Sequence, residues 1–457
     1  MQYSIIKKSE LERALRMDAE YYQPEYLDVE KKLNAIKTES FENLAESILS
    51  FGAYSLTSNI EWKKDGVPYV NVGDIHDGFI DYTNVKYISE KVDKILHKSQ
   101  LKEKDIVLTM AGTIGNAAVV HNIQNNHING NQAIAKIKLK KNISPYYITA
   151  FLNSRYGQLQ TLREVVSSVQ ANIFLGPIKK FKIPIFHEND SKKVESLYKK
   201  FLNELEKSKH FYSQAENLLL EEVGVEKDIS SYPIFSIVNF SQIQKANRMD
   251  AEYFQPGPFQ FGELVSVTDF KTQPLSDFVD MKKGFEPGSE AYQEEGKLFI
   301  RVSSLSKEGI TDKDQKYLSE KLYQELKKDY EPKKGEILLT KDATPGIAYV
   351  LKEPIEGLVA GGVMRLKAKG NIEPEYLALC INSSIGQMQV QRDAGGSIIK
   401  HWKPSQIKTM LIPTAAKPTQ EKIANLVRKS HEARKKSKEL LEEAKRKVEE
   451  LIEGNHQ

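Results

Sequence analysis

Two short polar segments, over residues 166–172 and 395–401, carry side chains that can form hydrogen bonds with phosphates or with the edges of nucleic-acid bases. Short hydroxyls suit phosphate oxygens, amides match adenine, and lysine matches guanine. The same residue types also occur in ordinary solvated loops, which is the alternative interpretation. The candidate contact residues in these segments are Ser167, Ser168, Gln170, Asn172, Ser397, Lys400 and His401.

Two glycine-bearing loops, at 109–116 and 340–347, also occupy corresponding places in the two halves of the chain. Gly supplies the positive φ that a tight turn requires, so each loop taken alone predicts a plain β-turn. Both loops keep Thr at the first position and Gly at the seventh, whereas their tips differ in chemistry. A shared framework with different tips predicts that the tips make specific contacts. The candidates here are Met110, Thr113, Asn116, Lys341 and Thr344.

Polar residues also follow two apolar strings that predict strands, at 67–72 and 298–302. We expect contacts at these strand ends, and phosphate contacts from two lysine pairs nearby. An exposed lysine more often only keeps a protein soluble, which is the alternative for each of them. The candidates are Asn71, His76, Arg301, Ser306, Lys63, Lys64, Lys282 and Lys283.

The sequence lacks the motifs of the enzymes that such contacts could serve. It has no Asn/Asp-Pro-Pro-aromatic tetrad of amino-group methyltransferases, no Gly-x-Gly-x-x-Gly loop and no Walker lysine. His121 and His127 lie close together without a carboxylate or cysteine cluster to complete a metal site. The single cysteine, Cys380, excludes internal disulfides and is expected to be buried helix filler. We therefore expect a chain that binds no metal or cofactor and performs no catalysis by itself.

The chain is built twice from one plan. Residues 16–24 return at 248–256 with one difference, Tyr22 for Phe254, at a displacement of 248 − 16 = 232 residues. Later matches keep nearly the same displacement, as in Pro145 and Pro374, where 374 − 145 = 229. Half the chain is too long for a solenoid repeat, so this is a duplicated domain. Enlargement of one core is the alternative, but the copies diverge mainly in polar loops and keep their framework motifs.

Each copy divides into a globular part and a long helix. β-rich strings alternate with short helices, such as one predicted from Pro145 to Gln160, which is an α+β pattern. We predict a first globular domain at 1–187, a central helix at 188–224, a linker and second globular domain at 225–416, and a distal helix at 417–457. The predicted fold has two pseudo-symmetric α/β domains and two long helices that form an antiparallel coiled coil.

The helix prediction rests on apolar residues that recur at spacings of three and four between charged faces. Ser191 and Thr419 are predicted N-caps, and Gly224 and Gly454 are predicted C-caps. Two helices of matched length at matched places favour pairing with each other, whereas a single one could simply cover its own domain. The residues predicted to form the coiled coil or to bind a partner are Val194, Leu197, Phe201, Phe211, Leu218, Ile423, Val427, Leu441, Val448 and Leu451.

The composition fits an ordinary globular chain, with 40% hydrophobic and 28% charged residues. The net charge of +4 permits nucleic-acid binding without requiring it. No apolar run approaches the ~20 residues of a membrane span, and the N-terminus lacks an apolar signal core. We therefore expect a cytoplasmic protein with no membrane partner.

This arrangement resembles the specificity subunit of Type I restriction-modification systems over nearly the whole chain. The resemblance rests on the paired motifs at 16–24 and 248–256, the Gly112-Thr113-Ile114-Gly115 loop, the closing segments 178–184 and 407–413, and the heptad helices. The second copy departs from the first at Thr344-Pro345-Gly346, where Pro changes the loop tip.

The resemblance implies two target recognition domains that each bind one half of a split double-stranded DNA site, with the helices setting the spacer. It further implies two modification subunits, which carry S-adenosylmethionine and methylate adenine, and restriction subunits that use ATP and Mg²⁺. A duplicated coiled-coil adaptor and a fused methyltransferase-nuclease are the alternatives, and the missing catalytic motifs argue against the second. The DNA sequence bound does not follow from residue spacing.

Overall fold

The computed structural model describes residues 4–14, 16–50, 60–123, 127–166, 171–224, 235–256, 271–311, 314–396 and 398–454. The chain forms two compact units, of which unit 1 comprises residues 1–204 and 436–457 and unit 2 comprises residues 205–435. Both mix helices with mainly antiparallel sheets, so the predicted α+β class is confirmed. Each long helix contributes one part to each of these two units.

The α-helices of these residues are α1 (Lys8–Ala14), α2 (Pro24–Asn34), α3 (Phe41–Leu44), α4 (Glu90–Ile95), α5 (Pro145–Asn153), α6 (Arg155–Arg163), α7 (Leu175–Lys179), α8 (Glu188–Val223), α9 (Phe240–Ala246), α10 (Leu275–Phe278), α11 (Glu320–Tyr330), α12 (Pro374–Asn382), α13 (Ser384–Asp393), α14 (Pro404–Thr409) and α15 (Lys417–Glu453). Single 3₁₀ turns lie at Ala19–Tyr22, Val72–Asp74, His97–Ser99, Ser289–Ala291 and Val302–Ser304.

The strands of unit 1 are β1 (Thr38–Ser40), β2 (Ala45–Leu49), β3 (Val67–Val70), β4 (Ile75–His76), β5 (Phe79–Ile80), β6 (Lys86–Ile88), β7 (Gln100–Leu101), β8 (Ile106–Thr109), β9 (Ala117–Val119), β10 (Ile128–Gly130), β11 (Ile134–Leu139) and β12 (Lys182–Pro184). Those of unit 2 are β13 (Thr272–Pro274), β14 (Val279–Lys283), β15 (Lys297–Ile300), β16 (Leu305–Ser306), β17 (Gly309–Ile310), β18 (Lys316–Leu318), β19 (Ile337–Thr340), β20 (Ala348–Val350), β21 (Gly357–Val359), β22 (Val363–Ala368) and β23 (Leu411–Pro413).

The two units repeat one sheet plan. In unit 1 a sheet of order β2-β11-β8-β9 accompanies one of order β6-β3-β10-β7, in which β3 and β10 are parallel. In unit 2 the corresponding sheets have the orders β14-β22-β19-β20 and β18-β15-β21, with β15 and β21 parallel. Fully buried strands such as β8 and β19 form the centre of each core, which explains their uninterrupted apolar sequences.

The helix predicted from Pro145 to Gln160 is two helices, because the chain becomes extended at Ser154, with ψ 165°. The Asn153 side chain causes the break: its amide donates to the Ala117 carbonyl at 2.7 Å and its Oδ1 accepts from the Ala117 N–H at 3.0 Å. Unit 2 repeats the break, with Asn382 bonded to Ala348 at 2.9 and 2.7 Å. The repeated asparagines therefore join a helix end to a sheet edge in each unit.

The ends of the two long helices were predicted in part. Gly224 and Gly454 follow the last residues of α8 and α15 with φ of +71° and +74°, so the C-cap predictions are confirmed. Ser191 and Thr419 lie inside the helices, which begin at Glu188 and Lys417, so the N-cap predictions were wrong. Glu188 and Asp190, in the first turn of α8, interact favourably with the positive end of the helix dipole. This interaction extends the helix on the N-terminal side of Ser191.

Within each unit, α8 and α15 run antiparallel. In unit 1, Lys436 forms an ion pair with Glu204 at 3.6 Å, and residues 193–200 of α8 share a groove with residues 443–450 of α15. In unit 2, the Ser430 hydroxyl donates to the Ser208 carbonyl at 2.8 Å, and residues 215–223 share a core with Ile423 and Val427. Of the ten predicted stripe residues, Leu197, Phe211 and Leu218 are half-buried and the others are buried.

The buried face of α8 is wider than the predicted stripe, because this helix also packs on its own globular sheets. Tyr198 is fully buried and donates its hydroxyl to the Gly78 carbonyl in the β4-β5 turn. Gly78 has a φ of +85°, and a Cβ placed on it would lie 3.0 Å from Leu441 and 3.1 Å from Phe201, so Gly is favoured where this turn approaches both helices. Among the described residues, no helix combines the length and the apolar character needed to cross a membrane.

The nine-residue motif forms equivalent structures in the two units. In unit 2, the Arg248 guanidinium pairs with Asp250, lies over the Tyr253 ring at 4.7 Å, and donates to the Asp393 carbonyl at the end of α13 at 3.0 Å. In unit 1, Arg16 pairs with Asp18 and lies over the Tyr21 ring at 4.6 Å. The motif therefore braces a helix end and acts as scaffold.

Candidate nucleic-acid interface

The glycine-bearing loop and the polar segment of unit 1 lie side by side. After β8, the Met110 N–H donates to the Ala133 carbonyl at 2.8 Å, and the Met110 carbonyl accepts from the Ile173 N–H at 2.9 Å. Ala111 forms an antiparallel bridge with Asn172, which also bridges to Val166. Two segments about sixty residues apart in sequence thus present their side chains from one backbone frame.

Unit 2 contains the same frame with different side chains. The Lys341 carbonyl accepts from the Trp402 N–H at 2.8 Å, and the Ala343 N–H donates to the Lys400 carbonyl at 2.9 Å. Asp342 bridges to His401 as Ala111 bridges to Asn172, and His401 in turn bridges to Gly395. Lys, Asp and His therefore stand where unit 1 has Met, Ala and Asn.

Residues that recur in both copies fix the two loops. The Thr340 hydroxyl donates to the Thr344 carbonyl at 2.6 Å and accepts from the Ile347 N–H at 2.9 Å, and Thr109 makes the same pair of bonds in unit 1. Gln158 donates to the Gly115 carbonyl and Gln387 to the Gly346 carbonyl, each at 2.8 Å. The repeated Thr, Gly and Gln are framework, so the unlike positions between them are free to differ.

The helix that carries this glutamine lies unusually close to its neighbour. A Cβ on Gly157 would lie 2.3 Å from the Phe151 carbonyl oxygen, and one on Gly386 would lie 2.2 Å from that of Ile381. Only Gly permits this approach, which places the glutamine under the loop. The repeated Asn-Ser-x-x-Gly-Gln pattern is thereby explained as a support for the loops.

Three side chains form a connected polar chain in the frame of unit 2. Lys341, whose side chain is only 10% exposed, binds Asp342 Oδ2 through its ammonium group. Asp342 Oδ1 lies 2.8 Å from His401 Nδ1, and the His401 side chain is 59% exposed. Burial alone would raise the pKa of Asp342, but hydrogen bonds from Lys341 and His401 lower it below its usual value. The carboxylate is therefore held charged between a buried cation and an exposed ring.

The remaining candidates of unit 1 border the same frame. Asn71 follows β3, and its Oδ1 accepts from the Asn131 amide at 3.3 Å. His76 is exposed on β4 and stacks on Phe79 with ring centroids 4.9 Å apart. Thr113 is exposed at the loop tip, whereas the Asn116 amide donates inward to the Ile75 carbonyl at 3.0 Å and fixes the loop against β4.

The strand-end candidates of unit 2 make internal bonds. Arg301 donates through Nη2 to Asp314 Oδ2 at 2.7 Å and lies over the Tyr292 ring at 5.7 Å. The Ser306 hydroxyl donates to the Gly309 carbonyl at 3.0 Å, which closes the turn between β16 and β17. Thr344 is exposed at the loop tip, and Lys400 is exposed next to His401.

The two lysine pairs differ in position. Lys282 and Lys283 are exposed at the end of β14, where Lys283 pairs with Met364 of β22, next to the strand that leads into the loop. Lys63 and Lys64 are exposed before β3, and the Lys63 backbone bonds to Tyr87 near the start of that strand. The structure therefore brings the second pair toward the frame of unit 2 and leaves the first pair at the other end of β3.

Four candidates, Ser167, Ser168, Gln170 and Ser397, lie outside the described residues. Sequence reasoning missed Asp342 and Asn131. The signal for Asp342 was its place beside Lys341 in a loop already singled out, whereas nothing near Asn131 marked it. In the described ranges, no group of three or more His, Cys, Asp or Glu side chains could hold a metal ion.

Comparison with known proteins agrees with this architecture. The family model for the Type I restriction modification DNA specificity domain matches residues 41–210 and 268–445. The EcoBI specificity subunit of a Type I restriction enzyme from Escherichia coli is 27% identical over 123 residues, which are 27% of this chain and 26% of that protein. The alignment thus spans about a quarter of that relative's length.

Two solved structures share the chain's overall length. The S subunit of a Type I restriction-modification system from M. genitalium is 14% identical, with a TM-score of 0.41 and coverage of 91% of this chain and 94% of that one. The HsdS subunit from Thermoanaerobacter tengcongensis is 10% identical, with a TM-score of 0.30 and coverage of 92% and 97%. The family model matches well over half of the residues, in two copies that coincide with the internal repeat. The chain therefore belongs to the family of the Type I restriction modification DNA specificity domain.

Proposed function

We propose that this chain is the DNA-binding specificity subunit of a Type I restriction-modification complex and that each unit binds one half of a split double-stranded DNA site. The observation that carries the proposal is the frame that recurs in both units with Met, Ala and Asn in one and Lys, Asp and His in the other. A protein that binds two unlike half-sites needs one scaffold with two sets of contact side chains.

Unit 2 offers the more polar contact surface. Lys282, Lys283 and Lys400 are exposed around its frame and suit phosphates, while His401 and Thr344 suit base edges. Unit 1 offers Asn71, His76, Thr113 and Asn172 around its frame, and none of these four is a lysine. The half-site bound by unit 2 should accordingly show the steeper dependence of affinity on salt.

The chain itself performs no catalysis in this proposal. Adenine methylation with S-adenosylmethionine belongs to two modification subunits, and cleavage with ATP and Mg²⁺ belongs to restriction subunits. The long helices serve as docking surfaces for the modification subunits and set the spacer between half-sites. Removal of one heptad from each would shorten a helix by about 10 Å, or roughly three base pairs of DNA.

Methylome sequencing tests the proposal in cells with and without the chain. We expect a split adenine-methylated site that disappears on deletion. Transfer of the unit 2 frame residues into unit 1, through Met110→Lys, Ala111→Asp and Asn172→His together, should change one half of that site and leave the other half as it was. If sequence-specific methylation persists after deletion of the chain, the alternative of a coiled-coil adaptor is favoured instead.

Gel mobility shifts supply the second test. Because the net charge of the chain is only +4, we expect weak specific binding by the chain alone and much tighter binding with the modification partner, which adds phosphate contacts. Equal affinities with and without the partner would contradict this part of the proposal.

A further inference from the structure

The hydrogen bonds around His401 determine which of its ring nitrogens carries the proton. Asp342 Oδ1 lies 2.8 Å from His401 Nδ1, and an ionised carboxylate can only accept hydrogen bonds. Nδ1 is therefore the protonated nitrogen of the neutral ring, and Nε2 keeps its lone pair. The ring is 59% exposed, so Nε2 is accessible to a ligand.

The carboxylate cannot rotate freely, because its other oxygen is bound as well. The Lys341 ammonium group, on a side chain that is 10% exposed, occupies Asp342 Oδ2. The backbone bridge between Asp342 and His401 fixes the distance between the two residues. Three residues thus hold one imidazole with a defined nitrogen facing outward.

We propose that His401 is a specificity-determining residue of unit 2 and that its Nε2 accepts a hydrogen bond from the exocyclic amino group of adenine or cytosine in the major groove. The inference rests on the proposed function. In that groove adenine presents N6 and cytosine presents N4 as donors, whereas guanine O6 and thymine O4 are acceptors. An acceptor on the protein therefore selects adenine or cytosine at one position of the half-site.

Asp342 acts as a positioning residue. Because Lys341 fixes the orientation of the side chain at position 342, the effect of substituting Asp342 can be predicted. In the Asp342→Asn variant, Lys341 can only donate and so requires the amide oxygen. The amide NH₂ then faces His401 Nδ1, which must become the acceptor, and the proton moves to Nε2. One isosteric substitution thus converts the exposed nitrogen from an acceptor into a donor.

The test uses the full chain assembled with its modification partner and a pool of DNA duplexes randomised over both half-sites. The wild-type complex should select adenine or cytosine at one position of the unit 2 half-site. Asp342→Asn should reverse that preference toward guanine or thymine by about tenfold, since one good contact discriminates bases by roughly that factor. His401→Ala should abolish the preference at that position only.

Controls separate this inference from misfolding and from failure of the proposed function. Asp280→Asn removes another carboxylate of the same unit, with a side chain 69% exposed, and should leave every position unchanged. If the wild-type complex selects no sequence, the proposed function fails. If it selects a split sequence, but Asp342→Asn and His401→Ala both keep the wild-type preference, this inference alone is overturned. Guanine or thymine as the wild-type preference would also overturn it.

Discussion

His431 should make the stability of unit 2 depend on pH. The imidazole lies on α15, with Nε2 3.2 Å from the Lys307 carbonyl and the ring 5.5 Å from that of Tyr349. Nδ1 is buried and has no hydrogen-bond partner among the described residues. Burial, and then the charge of Lys352, lower the pKa of His431 to about 4, although Glu308 and Glu375 oppose the shift.

The direction of the pH dependence of stability follows from proton uptake by the unfolded chain. His431 is neutral in the folded unit, while in the unfolded chain it takes up a proton near its ordinary pKa of 6.5. The contribution of the neutral imidazole to the free energy of unfolding is fully present above that pH and is lost as the pH falls toward 4. For these two pKa values, linkage gives a loss of about 2 kcal/mol of the free energy of unfolding between pH 7.5 and 5.

The variant His431→Leu removes the titrating group. Leu is the residue that α8 has at the corresponding position, Leu202, where 431 − 202 = 229. We expect the free energy of unfolding of His431→Leu to fall by about 2 kcal/mol less than that of the wild type over this pH range. Comparison of the two proteins cancels the titration of the carboxylates, which occurs in both.

Cys380 reports the unfolding of unit 2 selectively. It is the only cysteine of the chain, and it is buried in the core cluster of that unit. Its reaction with a thiol reagent, followed against urea at pH 7.5 and 5 and referred to the fully unfolded chain at each pH, gives the free energy of unfolding. His210→Leu, at an exposed position on α8 in the same unit, is the matched control. Its free energy of unfolding should change between the two pH values by as much as that of the wild type. If the free energies of unfolding of the wild type and His431→Leu differ by the same amount at both pH values, the reasoning is refuted.

Three further outcomes are expected. Ala343→Gly should stabilise unit 2 by up to about 1 kcal/mol, since Ala343 has a φ of +58°, and the converse Gly112→Ala should destabilise unit 1 by a similar amount; urea unfolding of both variants measures this. Gly386→Ala should cost about 3 kcal/mol, because the new Cβ would overlap a carbonyl oxygen, and should expose Cys380 at lower urea; unchanged reactivity would contradict the packing. Truncation after Lys435 should leave Cys380 protected but open unit 1 to proteolysis, and equal protease resistance of the two units would disprove this division.

The duplication, the α+β class and the paired helices could be predicted, because each depends on patterns that extend over many residues. The framework role of the repeated Asn, Gly and Gln could not, because it arises from contacts between a helix and a loop about 40 residues apart in sequence, such as Gln158 with Gly115. Sequence spacing likewise gave no sign that Asn116 turns its amide inward, or that Arg301 is paired with Asp314.

The helix starts show a similar limit. Ser191 is a good N-cap residue by type, yet α8 begins at Glu188, because acidic residues at 188 and 190 stabilise an earlier first turn. The apolar stripe of α8 was predicted too narrow, since Tyr198 and Leu202 are buried as well. A heptad pattern describes contact with one partner helix, whereas this helix also covers sheets of its own unit.

The late residues of the chain complete its first unit. The Glu449 carboxylate accepts from the Arg155 N–H at the start of α6 at 2.7 Å, and Glu453 accepts from the Tyr156 hydroxyl at 2.9 Å. During synthesis, unit 2 has all its residues once residue 435 has emerged, while unit 1 waits through 435 − 204 = 231 further residues for its closing segment. Although domains usually fold in the order of synthesis, unit 2 can therefore complete its core before unit 1, whose closing segment follows all of unit 2 in the sequence.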